Sequence, residues 1–150
     1  FLEKMARLRL QVSTMDIVNI HPNTFASMEE SFAHVVRRVH DGVTGWVCAA
    51  DHLAYDLIAA LEAEGLNVPR KVSVTGFDGT PEGSPELSTT VIPYREIGLI
   101  GGKRLVDLIE KRFTPVQHIL VGSEFRAGAT IAPVGKAAPR KSVHKIALSA

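Results

Sequence analysis

Between Val43 and Ile92 the chain passes through a short apolar run, an acidic turn, a helical pattern, a second apolar run and a second acidic turn. Few folds accept that order. Gly45 to Ala49 (GWVCA) has the make-up of a buried strand. Asp51 follows at a helix start, where its carboxylate can accept the unsatisfied amides of the first turn. Leu53, Leu57, Ile58 and Leu61 then fall on one helical face. Gly65 stands where a left-handed residue ends a helix, and Pro69 lies just beyond it. Val72 to Phe77 alternates as a second strand and stops at the turn pair Asp78-Gly79. Strand, helix and strand this close together make a βαβ unit, with parallel strands and a right-handed crossover. Asp51 and Asp78 are therefore expected beyond the carboxyl ends of neighbouring strands, the edge at which open α/β sheets hold ligands.

These residues also carry a family resemblance. Ala50-Asp51, Gly65 to Pro69 (GLNVP), Val72 to Asp78 (VSVTGFD), Pro85 to Val91 (PELSTTV), Ile97-Gly98 and His118 to Thr130 (HILVGSEFRAGAT) resemble the ligand-binding region of LacI/GalR-type transcription regulators. Those regulators share the fold of type I periplasmic sugar-binding proteins. The resemblance runs from Phe1 to about Pro133 and implies an α/β fold, a parallel sheet with flanking helices. It also implies an incomplete fold lacking most of the first lobe. Family members begin with a helix-turn-helix and a hinge helix, followed by that lobe, whereas Phe1 to Leu10 looks like the helix that opens the second one. The chain is thus expected to be the carboxyl-terminal half of a longer protein. The expected divisions are 1–92 for the second-lobe effector-binding and dimerisation part, 93–115 for a helix that packs on the first lobe, 116–132 for closing strands, and 133–150 for a basic, disordered tail.

Outside the central run the signals are local. Ser27 and Glu30 form a capping box, with Ser27 serving the Glu30 amide and Glu30 reaching back. Phe32, Val35, Val36 and Val39 mark the inward face of the helix that follows, to about His40. Gln11 to Pro22 reads as a strand or an extended linker. Tyr94 to Arg112 reads as a helix with Ile97, Ile100, Leu105, Leu108 and Ile109 inward. That helix carries Gly98, Gly101 and Gly102, each unfavourable by up to ~1 kcal/mol against Ala in a helix interior. Glycines there fit a close backbone approach. By the resemblance the partner is the first lobe, so this chain alone is expected to expose an apolar face and to self-associate.

Composition excludes several classes. The chain has 150 residues, enough for one domain with a real core, and its 45% hydrophobic and 22% charged residues are ordinary for a globular protein. No apolar run approaches the roughly 20 residues that span a bilayer, and no signal peptide is visible. The single cysteine, Cys48, has no partner for a disulfide and fits a reducing compartment. Net charge is +1, but residues 136–150 hold four basic residues and no acid, which leaves 13 basic against 16 acidic elsewhere. Such a body is not a nucleic-acid-binding surface, and the tail reads as a solvated terminus.

For chemistry, Asp78 leads. An ionised carboxylate only accepts hydrogen bonds, and adjacent sugar hydroxyls are good donors. Read alone, Asp78 is better explained as closing a turn with Gly79 than as a ligand contact; in the resembled family the matching Asp commonly contacts effector. Asp51 serves either as a helix cap or as a second contact. The residues before these two, Phe77 and Ala50, complete the expected ligand-binding set. Ala50 departs from the family pattern, because sugar-responsive members often carry Asn there, and Ala offers a ligand no polar atom. Trp46 could stack on a sugar ring, but within a strand an indole is more often core. The spacing of the six histidines offers no metal site, and GxSxG, GxGxxG and Walker loops are absent. No metal, cofactor or catalytic residue is expected, and the chain is not read as an enzyme.

The resemblance implies a cytoplasmic, LacI-type regulator whose effector, a sugar or sugar derivative, shifts a lobe arrangement. It implies a homodimer with Tyr55, Ile58 and Ala59 at the interface, although Ile58 also fits the core. Operator DNA would be contacted only through the absent helix-turn-helix. A periplasmic sugar-binding protein of a transport system is the rival on the same fold, and a truncated product without function is a third possibility.

Overall fold

The structure is a computed structural model and describes residues 2–10, 12, 16–18, 27–80, 85–110, 112 and 115–133. The elements in chain order are α1 (Leu2–Arg7), α2 (Met28–His40), β1 (Gly45–Val47), α3 (Asp51–Ala63), β2 (Ser73–Asp78), β3 (Ser88–Val91), α4 (Tyr94–Ile109) and β4 (Glu124–Arg126). They fall into two compact units that part between Thr44 and Gly45. The expected segment 11–22 lies largely outside the described residues, and the basic tail from 134 onward lies wholly outside them.

In the first unit the chain signals are obeyed closely. Ser27 caps α2, its hydroxyl accepting the Glu30 amide at 3.1 Å. Ser31, Val35 and Val39, spaced by four, are its buried residues, while Phe32 and Val36 are half-buried. At its other end Gly42, with φ +101°, donates to the Val39 carbonyl, and Val43 donates to Arg38. That pair of bonds is a Schellman stop, which consumes two carbonyls the helix cannot satisfy itself. Arg38 then pairs with Asp16 at 2.6 Å and with Asp41 at 3.1 Å. Helix α1 buries none of its residues.

The second unit, Gly45–Ala132, contains the expected βαβ motif. Strands β1, β2 and β3 run parallel, β4 adds antiparallel, and the sheet order is β1-β2-β3-β4. Helix α3 buries Asp51, Ala54, Leu57, Ile58 and Leu61, and Val72, Val74, Leu66 and Leu87 complete the apolar core. Its end follows the sequence signal: Gly65 has φ +72°, its amide reaches Glu62, and the Leu66 amide reaches Leu61. This is again a Schellman stop, with Leu61 and Leu66 both buried.

Three expectations are corrected. The first strand spans only Gly45–Val47 and is not buried; Val47 is 67% exposed. It is an outer strand, so side chains alternate between a covered face, taken by the half-buried Trp46, and an open one. Cys48, just after it, is half-buried, which pushes its thiol up to about 11. Second, Asp51 does not cap α3. Ala50 occupies the N-cap with no side-chain bond, and Asp51 is already the first helical residue, its carboxylate turned toward the sheet. Third, α4 ends at Ile109, short of the expected Arg112; Ile97, Leu105, Leu108 and Ile109 are exposed, the bare apolar face expected of this chain alone. Leu99 and Val106 are exposed too, Asp107 is the helix's buried residue, and Gly98, Gly101 and Gly102 face open space. The face is apolar because its pattern is helical; it is bare because no described residue covers it.

In the 116–132 segment, the described strand is Glu124–Arg126, and the residues after it are tied by side chains. Thr130, fully buried, donates to the Val74 carbonyl at 2.7 Å and accepts the Ser88 amide at 3.0 Å, joining the starts of β2 and β3. Gly128 donates to the Ser88 hydroxyl, and a side chain there would strike the Glu86 carbonyl.

Candidate functional site

Three parallel strands bring their carboxyl ends to one edge of the sheet. There stand Ala50-Asp51 after β1, Phe77-Asp78 at the end of β2, and Tyr94, which opens α4 after β3. The expected ligand-binding residues are thus brought to one edge, but in different states.

Asp78 is partly exposed and accepts a hydrogen bond from the Tyr94 hydroxyl at 2.8 Å. Its φ is +118°, a conformation that L-residues other than Gly rarely adopt and that costs about 1–3 kcal/mol. The last rung of the β2–β3 ladder lies at this point, with the Ile92 amide on the Asp78 carbonyl at 3.2 Å. The hydrogen bond that Tyr94 donates to Asp78, reinforced by burial and by the negative charges of Asp78 and Asp51, raises the Tyr94 pKa. A half-buried carboxylate at a strand end, accepting from one phenol among the described residues, has further lone pairs with which to accept hydrogen bonds from hydroxyl groups. Phe77 beside it is exposed, and Ala50 is half-buried.

Asp51 lies inside, 1% exposed. One oxygen accepts both the Thr80 amide at 2.7 Å and the Thr80 hydroxyl at 2.9 Å; the other accepts the Thr89 hydroxyl at 2.5 Å. Burial by itself would raise its pKa. The bonds from Thr89, Thr80 and the Gly79 amide outweigh burial and hold the carboxyl below its ordinary value. To reach Thr89 on β3, the side chain passes over Gly76 on β2, the register partner of Thr89. A Cβ on Gly76 would collide with that Asp51 oxygen and with Leu87.

Sequence reasoning missed Thr80, Thr89, Tyr94 and Arg126. Arg126 of β4 is paired in register with Thr89 and donates to the Thr80 carbonyl at 3.2 Å. One signal was available: a glycine inside a strand pattern, Gly76, marks a close approach by something else. Trp46 sits in the sheet opposite Val74, its indole N–H shut from solvent without an acceptor among the described residues. Of the expected interface residues, Ile58 is core at 3% exposure, Tyr55 is half-buried and Ala59 exposed. Among the described residues there is no cluster of His, Cys, Asp and Glu able to hold a metal, and no helix long and apolar enough to cross a membrane.

A mostly parallel α/β sheet with ligand-competent carboxyl ends defines a class of small-molecule-binding domain. Residues 1–131 match the periplasmic binding protein-like domain, and the chain belongs to that family in the form found in LacI/GalR-type regulators. It is 30% identical over 96 residues to the HTH-type transcriptional regulator IpsA of Corynebacterium glutamicum, covering 63% of this chain and 26% of that protein. An HTH-type transcriptional regulator of Mycobacterium tuberculosis is 41% identical over 102 residues, 67% of this chain and 28% of its own. A sugar-binding LacI-family transcriptional regulator from Escherichia coli, solved in complex with phosphate, superimposes with a TM-score of 0.67 at 25% identity, over 88% of this chain and 48% of that one. The chain therefore spans 26–28% of the length of these two curated relatives.

Proposed function

We propose that this chain is the effector-binding and dimerisation part of a LacI-type transcription regulator, a repressor as several of its relatives are, and that its effector is a sugar or sugar derivative. The observation that carries this reading is Asp78: a strained, partly exposed carboxylate at the carboxyl end of a parallel strand. Strained residues of that kind cluster at binding and catalytic sites. Support also comes from relatives that are HTH-type regulators and from a structural neighbour that is a sugar-binding one.

In this reading Asp78 accepts hydrogen bonds from two hydroxyls of the effector, Phe77 offers an apolar ring beside it, and Ala50 lines the floor. The effector lies between this edge and the first lobe, outside this chain, and it favours one arrangement of the two lobes by its differential affinity. Tyr55 and Ala59 lie at a homodimer interface through which that change reaches operator DNA, contacted by a helix-turn-helix outside this chain. The protein acts in the cytoplasm, without catalysis or a cofactor.

The test is thermal melting of the full gene product against a panel of sugars. An effector should raise the melting temperature of the parent, while Asp78→Ala should lose that shift and melt unliganded much as the parent does. Equal shifts in both proteins would remove Asp78 from the site.

A further inference from the structure

We infer that Asp51 and Arg126 are positioning residues, which grip the Thr80 peptide from its two sides and thereby fix where the Asp78 carboxylate stands. The importance of that carboxylate for a ligand rests on the function proposed above; the grip does not. After Asp78 the chain leaves the sheet through Gly79, whose φ of +81° belongs to a residue without a side chain. Among the described residues no ladder bond restrains the turn beyond the Ile92 rung. The next residue, Thr80, is bound by all three of its polar groups. Its amide and its hydroxyl both go to one Asp51 oxygen, at 2.7 and 2.9 Å, and its carbonyl takes the Arg126 guanidinium at 3.2 Å.

The two holders are anchored on separate elements. Asp51 opens α3, is almost wholly buried, and is tied by its second oxygen to Thr89 on β3. Arg126 belongs to β4 and faces Thr89 in register. The turn that carries Asp78 is thus fastened to α3 and β4, and through Thr89 to β3, although it belongs to none of them. Gly79, permissive in φ and itself held by its amide to Asp51, is the sole residue between Thr80 and Asp78. With the grip cut, the turn pivots at Gly79, the φ of Asp78 relaxes, and its carboxylate leaves the Tyr94 hydroxyl.

That last bond is measurable without any ligand. The chain has two tyrosines, so a Tyr55→Phe background isolates Tyr94, whose phenol titration is followed by ultraviolet absorbance. Asp78→Asn supplies the reference for a Tyr94 that has lost its carboxylate. Asp51→Ala and Arg126→Met should each move the Tyr94 titration at least half of the way to that reference, and Asp51→Asn less far. Asp51→Ala removes a buried group and can unfold the chain. Arg126→Met covers that case, because Arg126 lies at the sheet's outer strand and its Nε has no partner among the described residues. A lower melting temperature with the Tyr94 titration of the parent, in folded Arg126→Met, would overturn the proposal and leave both residues as plain stabilisers. Whether any sugar binds is decided by Asp78→Ala and does not enter this test.

Discussion

The Asp51 carboxylate lies against Gly76, in the space where any other residue at position 76 would place its Cβ. Helix α3 and strand β2 are packed through this pairing, one a buried charge and the other an absent side chain. Gly76→Ala should therefore destabilise the chain by about 1–3 kcal/mol, the usual cost of overpacking. Urea unfolding would measure it, and an unchanged midpoint would mean that the carboxylate moves aside freely.

Asp51 also makes stability depend on acid. Its folded pKa lies below the ordinary aspartate value, so its stabilisation is fully present above about pH 4 and is lost as pH falls through the depressed value. The parent should lose stability more steeply than Asp51→Asn below that point. Parallel melting curves for the two proteins across the same acid range would contradict this.

Asp78 is held at φ +118°. Asp78→Gly removes strain of about 1–3 kcal/mol against an unfolded-state entropy cost of about 0.4–1 kcal/mol. The Tyr94 hydrogen bond is lost as well, at about 0.5–1.5 kcal/mol, so the unliganded chain should change by no more than about 1 kcal/mol, with loss of any effector-induced stabilisation. Calorimetry on both proteins reads the two effects together, and a loss above about 2 kcal/mol, the entropy and hydrogen-bond terms with no relief, would show that no strain is stored there.

Thr130 links two strands with a single hydroxyl. Thr130→Val keeps its shape but leaves the Ser88 amide and the Val74 carbonyl without that partner, at about 1–3 kcal/mol for each buried group. A loss of about 3 kcal/mol by chemical denaturation is expected. A loss under about 0.5 kcal/mol, the range of ordinary surface changes, would mean that these groups find other partners.

The bare face of α4 should bind a hydrophobic dye and drive association of the chain. Leu105 and Leu108 are 59% and 62% exposed, so replacing both with Ser should reduce dye binding and association. Stability should change by no more than about 0.5 kcal/mol for each surface replacement. A dye-silent parent that sediments as a monomer would contradict the expectation.

Much of this was legible in the residues because it depends on short-range chemistry. Ser27 caps α2 because a hydroxyl three residues from an amide reaches it within one turn, and Gly65 ends α3 because it can take positive φ. Alternation around Val74 and helical spacing of Leu57, Ile58 and Leu61 placed the βαβ unit and its core, and with them the sheet edge that carries Asp51 and Asp78. Local pattern failed where a side chain had two partners in reach. At a helix start, Asp51 is as good a cap as it is a bridge, and only packing α3 on β2 turned it toward Thr80 and Thr89. For α4 helical spacing identified the apolar face, and only the family resemblance gave the expectation that it is bare in this chain.

The sequence by itself determined the element order, the parallel sheet and the family, since hydrophobic period, turn residues and caps are local properties. Tertiary structure alone decided which aspartate stands open and which is enclosed. That distinction arises from residues 29 and 38 positions away from Asp51, Thr80 and Thr89, joined to it only once the strands pair. Burial and hydrogen bonding at such separations are properties of the folded chain, and they leave Asp78 half-buried at the sheet edge, accepting from Tyr94.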